Sequence, residues 1–65
     1  GSNKVRFEKS GRADLQIYEM GGKLISDFPN VSTNNDFDLI LENNKVYIII
    51  VKYSDGIVRT LKTIK

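Results

Sequence analysis

Asp36 and Asp38, preceded by Asn34 and Asn35, form the densest group of oxygen ligands in the chain. Four such side chains within five residues could touch a calcium ion. The spacing lacks the glycine and the distal glutamate of a calcium loop, however. Two carboxylates two residues apart in a strand also share one face, so they read as a solvated surface rather than a converging acid–base pair. Asn30-Val31-Ser32 satisfies the N-glycosylation pattern, which matters only in a eukaryotic secretory setting. Gly21-Gly22 joins two strand-like runs with no helix after it to hold an anion, so it reads as a turn and not a phosphate loop. Tyr18, Tyr47 and Tyr53 lie near basic residues, as base-stacking aromatics would. In strands such residues more often pack across to a neighbour.

The wider inventory excludes more than it offers. There is no His and no Cys among the 65 residues. That removes the commonest general base, thiolate chemistry, disulfides and Cys-ligated zinc. Neither a nucleophile–base pair nor a cofactor motif can be assembled, and we expect no enzyme. Net charge is +2, weak for a nucleic-acid binder, so no nucleic-acid partner is expected. No apolar run approaches the roughly 18 residues of a membrane-spanning helix. Residues 1–44 carry five basic and seven acidic side chains, whereas residues 45–65 carry Lys45, Lys52, Arg59, Lys62 and Lys65 against Asp55 alone. The last third is thus a basic segment on a mildly acidic body.

The elements that would position these residues have a period of two throughout. KVRFEK alternates Val5 and Phe7 with Lys4, Arg6 and Glu8, as a half-buried strand does. Ser10-Gly11-Arg12 reads as a turn. ADLQIYEM places Leu15 and Ile17 on one face, and Gly21-Gly22 suits a two-residue hairpin into KLISDF. Phe28-Pro29-Asn30 should close that strand, because Pro29 cannot donate to a ladder. DFDLIL turns Phe37, Leu39 and Leu41 inward and Asp36 and Asp38 outward. VYIIIVKY is apolar on both faces and predicts a central strand covered on both sides. Ser54-Asp55-Gly56 then turns the chain into IVRTLKTI through an Asp-Gly hairpin. Six short strands predict an all-β fold, a small antiparallel sandwich or barrel in a single domain. So small a core also predicts weak self-association through strand edges.

Three segments in order carry a family resemblance. Ile17-Tyr18-Glu19-Met20-Gly21-Gly22-Lys23-Leu24-Ile25, then Val46-Tyr47-Ile48-Ile49-Ile50-Val51, then Leu61-Lys62-Thr63-Ile64-Lys65 resemble the C-terminal sorting domain of type IX secretion substrates of Bacteroidetes, including those of the gingipain proteases. The match spans about residues 5–65. Asn44-Lys45 stands where the family often has Asn-Gly or Ser-Gly, and the family's upstream Asn-Pro pair is absent. The resemblance implies an immunoglobulin-like β-sandwich of six or seven strands, without catalysis or cofactor, carried by a larger exported protein. Gly1-Ser2 looks like a cloning remnant, so residues 3–65 would be the sorting domain, excised from that protein. Its partners would be the secretion translocon and its outer-membrane receptor and sortase components. Its location would be the periplasm in transit, then the cell surface or the medium. Arg59, Lys62, Thr63, Ile64 and Lys65 would be read by that machinery, and Tyr18, Met20, Gly21, Gly22, Lys23, Val46 and Tyr47 would carry the motif and its turn. The competing expectation is an immunoglobulin-like structural or adhesion module of a bacterial surface protein.

Overall fold

The computed structural model describes residues 2–64, with side chains over 4–63. Six strands follow one another: β1 (Ser2–Val5), β2 (Arg12–Glu19), β3 (Leu24–Ser32), β4 (Phe37–Ile40), β5 (Val46–Tyr53) and β6 (Val58–Ile64). They form two antiparallel sheets, one of order β1-β4 and one of order β3-β2-β5-β6. The chain is all-β, a small sandwich. Its pairings match those of strands B and E, and of strands C′, C, F and G, in immunoglobulin-type domains.

Alternation decides which face is buried. Ala13, Leu15 and Ile17 of β2 stand opposite Tyr53, Val51 and Ile49 of β5, and all six are buried. Val5 and Leu39 of the small sheet, with Leu41 just after β4, close the core from the other side. At one side of the seam the Phe28 and Phe37 rings lie 5.0 Å apart. At the other, Phe7 meets Tyr53 edge to face at 6.4 Å. Leu15, Ile17 and Val51 are the most deeply buried large side chains, each contributing about 1.5–3 kcal/mol of burial free energy.

Four local expectations need correction. The first strand ends at Val5 instead of running through KVRFEK, and residues 6–11 cross between the sheets. Phe7 still packs against the core from that connection. The β2–β3 hairpin is a three-residue loop, not a two-residue one. Glu19 N–H donates to the Lys23 carbonyl, Gly22 N–H donates to the Glu19 carbonyl, and Gly22 at φ +93° takes the left-handed position, as three-residue hairpins do. The β5–β6 hairpin repeats this design with Ser54-Asp55-Gly56: Tyr53 N–H donates to the Ile57 carbonyl, and Gly56 has φ +92°.

Pro29, the third correction, does not end β3, which continues to Ser32. β3 is an edge strand, where a missing N–H costs no ladder bond. Pro29 and Asn30 instead bulge opposite Asp14. Asn30 has φ +55°, and its N–H donates to the Asp14 carboxylate at 2.7 Å. The fourth correction is β5, which is interior to its sheet but covered on one face only. Tyr47, Ile49, Val51 and Tyr53 are buried, whereas Val46, Ile48 and Ile50 are half-buried on the outer face. The two short strands of the second sheet shield one side, and among the described residues no third layer shields the other.

Candidate recognition surface

The three motif segments are separated in sequence but adjacent in the sheet. The first forms the β2–β3 hairpin, the second forms β5, and the third lies in β6. Tyr18 pairs with Leu24 on one side and Ile48 on the other, and Ile48 pairs with Lys62. Those four residues make one row across the outer face of the sheet. The next row, facing the second layer, runs Glu19, Tyr47, Thr63. Neighbouring strands lie about 4.8 Å apart, so Tyr18 and Lys62 are roughly 10 Å apart at the backbone. Val46 is in register with Ile64, which places the start of one motif beside the end of another. Lys65 lies outside the described residues, and for Ile64 only the backbone is described.

The turn residues occupy the tip nearest these rows. Met20, Gly21, Gly22 and Lys23 are all exposed. Tyr18 is half-buried, and its hydroxyl donates to Gln16 Oε1 at 3.4 Å. The basic residues of β6 are not gathered on one side. Arg59 stands opposite Val51 on the core side and Lys62 opposite Ile48 on the outer side. Arg59 Nε is bound to Glu8 at 3.2 Å, while Lys62 has no ion pair among the described residues. Thr63 is half-buried on the core side of the strand.

Tyr47 has a role that the motif alone does not announce. It is the second residue of β5, buried, and its hydroxyl accepts the Glu42 backbone N–H at 3.0 Å. A tyrosine there, reaching back a few residues to the preceding connection, is the tyrosine corner of immunoglobulin-type sandwiches. Tyr53 mirrors it at the far end of the strand, accepting Glu8 N–H at 2.8 Å. The two rings fill the core while their hydroxyls tie down the β4–β5 and β1–β2 connections. For the first, the turn-forming residues just before Val46-Tyr47 were the only local signal, and they mark a turn without naming the hydroxyl's partner. Nothing in the sequence signalled the second, because its partner is 45 residues away.

A cleft of about 190 Å³ opens between the sheets on the β3–β4 side, lined by Ile17, Ile25, Phe28, Leu39 and Tyr47, with Glu19, Glu42 and Lys45 among its polar residues. Its walls suit an apolar side chain. Its carboxylates do not form an acid–base pair: Glu42 is held by Lys45 at 2.9 Å, and that contact raises the Lys45 ammonium above its usual range. Asp36 meets Arg6 at 3.8 Å and Asp38 stands in register with Lys4, both on exposed positions. Among the described residues no three His, Cys, Asp or Glu side chains converge as metal ligands. No helix is long and apolar enough to cross a membrane. No family model, curated protein or solved structure gives a significant match to the chain.

Proposed function

We propose that residues 3–65 are a non-catalytic sorting domain that directs a larger cargo through the outer membrane by type IX secretion. One observation supports this reading best. Three motif segments spread over residues 17–64 lie side by side on β2, β5 and β6, with half-buried Tyr18 and Ile48 and exposed Lys62 in a single row on the outer face. A receptor can read such a row on a rigid frame, through the apolar faces of Tyr18 and Ile48 and the ammonium of Lys62. The translocon, with its outer-membrane receptor and sortase, is the partner in this reading. Later removal of the domain would leave the cargo at the cell surface or in the medium.

The second reading is an immunoglobulin-like structural or adhesion module. The Arg59–Glu8 ion pair favours it, because that pairing already engages one cation of the basic strand within the domain. Transplantation separates the two. Residues 3–65 are fused behind a fluorescent protein bearing an inner-membrane export signal, in a bacterium with the type IX pathway. Surface or medium fluorescence, lost on Lys62→Glu with the fold intact by circular dichroism, is the expected result. A folded fusion held in the periplasm would leave the structural module.

A further inference from the structure

β6 gives the four-stranded sheet one long, unobstructed edge, and the opposite edge is closed. At β3, Pro29 lacks an N–H, the bulge at Asn30 breaks the ladder, and Asp14 and Arg12 both bind Asn30. The edges of the small sheet are four residues long. Natural sheets blunt exposed edges with such devices. β6 carries one such device, the charges of Arg59 and Lys62, but it has no Pro and no Gly and pairs with β5 from Val58 to Ile64 without a register shift.

The hairpin fixes which backbone groups are free. Tyr53 N–H donates to the Ile57 carbonyl at 2.8 Å, so the groups of 57, 59, 61 and 63 face β5. By the alternation of an antiparallel ladder, those of Val58, Thr60, Lys62 and Ile64 face outward.

We propose that this edge pairs antiparallel with the same edge of a second copy, about a two-fold axis at Leu61. In that register Thr60 faces Lys62 of the second copy, Arg59 faces Thr63, and Val58 faces Ile64. The outward-facing residues supply about eight interchain hydrogen bonds. No two cations stand opposite each other, although the strand is basic. Sliding by two residues one way sets Lys62 against Lys62, which like-charge repulsion disfavours. Sliding the other way sets Lys62 against Val58 and Arg59 against Leu61, leaving Thr60 against Thr60 as the one polar match. A slip of one residue puts the outward donors and acceptors out of phase. The isologous register at Leu61 is therefore the one the residues select.

The contact is a single strand pair, below the ~1,200 Å² at which stable interfaces begin, so the expected dissociation constant is about 0.1–1 mM. This inference does not rest on the secretion reading. Sedimentation velocity on the 65-residue chain, from about 20 µM to about 1 mM, brackets that affinity. The mass should rise from 7.4 kDa towards twice that value. Thr60→Glu places a carboxylate opposite each Lys62 and should tighten the dimer roughly 3- to 10-fold, whereas Thr60→Lys should weaken it similarly. Thr60 is exposed, so circular dichroism melts of both variants should match the parent. A constant 7.4 kDa at every concentration would overturn the dimer and leave the edge to a different chain. Equal shifts in the two variants would overturn the register.

Discussion

Replacing Tyr47 by Phe deletes one oxygen and leaves the ring in place. The ring is buried, at 3% exposure, so no cavity forms, and the change isolates the hydrogen bond that Glu42 N–H donates at 3.0 Å. A typical intramolecular hydrogen bond contributes about 0.5–1.5 kcal/mol net, and an orphaned donor adds to the loss where water cannot reach it. Glu42 is exposed and its N–H can be partly rehydrated, which sets the expected loss at about 1 kcal/mol. For a domain this small that is a fall of roughly 4–8 °C in Tm. Tyr53→Phe should cost a similar amount through Glu8 N–H. The two hydroxyls mark opposite ends of an eight-residue strand, about 20 Å apart, so their losses should add to within about 0.5 kcal/mol. Urea unfolding followed by far-ultraviolet circular dichroism measures all three variants, with the slope unchanged from the parent. A Tyr47→Phe loss under ~0.3 kcal/mol would refute the claim that the hydroxyl anchors the β4–β5 connection.

Other outcomes follow from the same coordinates. Gly22→Ala and Gly56→Ala should each cost about 1 kcal/mol, because φ of +93° and +92° is unfavourable for a residue with a Cβ even in open space. Gly21→Ala, with no positive φ and nothing within 4 Å, should be neutral or slightly stabilising in the same thermal melts. Leu15→Ala should cost about 2–5 kcal/mol, enough to unfold a domain whose core supplies about 3–5 kcal/mol; a cooperative melt like that of the parent would contradict it. The Asp55 carboxyl is lowered from 3.8, first by its hydrogen bond from Lys9 and then by Ile57 N–H. A depressed folded value means stabilisation present above pH 3.8 and lost as the pH falls through the lower folded value. Asp55→Asn should therefore flatten the acid limb of the stability–pH curve, and an unchanged limb would exclude that ion pair as its source.

The inward residues of β2 and β4 were legible because a period of two needs no tertiary knowledge. The Asp-Gly and Gly-Gly turns were legible as positions, but the choice of a three-residue loop depends on which residue takes the positive φ. Pro29 misled because its meaning depends on sheet position: it terminates an interior strand and is harmless at the edge that β3 occupies. Val46–Val51 misled in another way. An unbroken apolar run implies two covered faces only when the chain is long enough to build both covers, and here the second sheet has eight residues in strands. The row Tyr18, Ile48, Lys62 was half legible, since the β5–β6 hairpin fixes one register locally. The β2–β5 register joins residues 28 (Glu19 and Tyr47) to 40 (Ala13 and Tyr53) apart, and no short-range pattern encodes it.

β5 is the fifth of six strands, yet it alone links β2 to β6. A chain emerging from its N-terminus completes the β2–β3 hairpin well before the strand that must lie against it. At about 5–20 residues per second, roughly 2–7 s separate the synthesis of Glu19 from that of Tyr53. Once Ser32 has been made, and until β5 follows, Ala13, Leu15 and Ile17 have at most a two-stranded ribbon to join, which is marginally stable at best. The four-stranded sheet therefore cannot close before Ile49 and Val51 arrive. Any chain broken off before Tyr53 lacks both the closing strand and the hydroxyl that fastens Glu8. Such a stub has no way to pass for the finished domain.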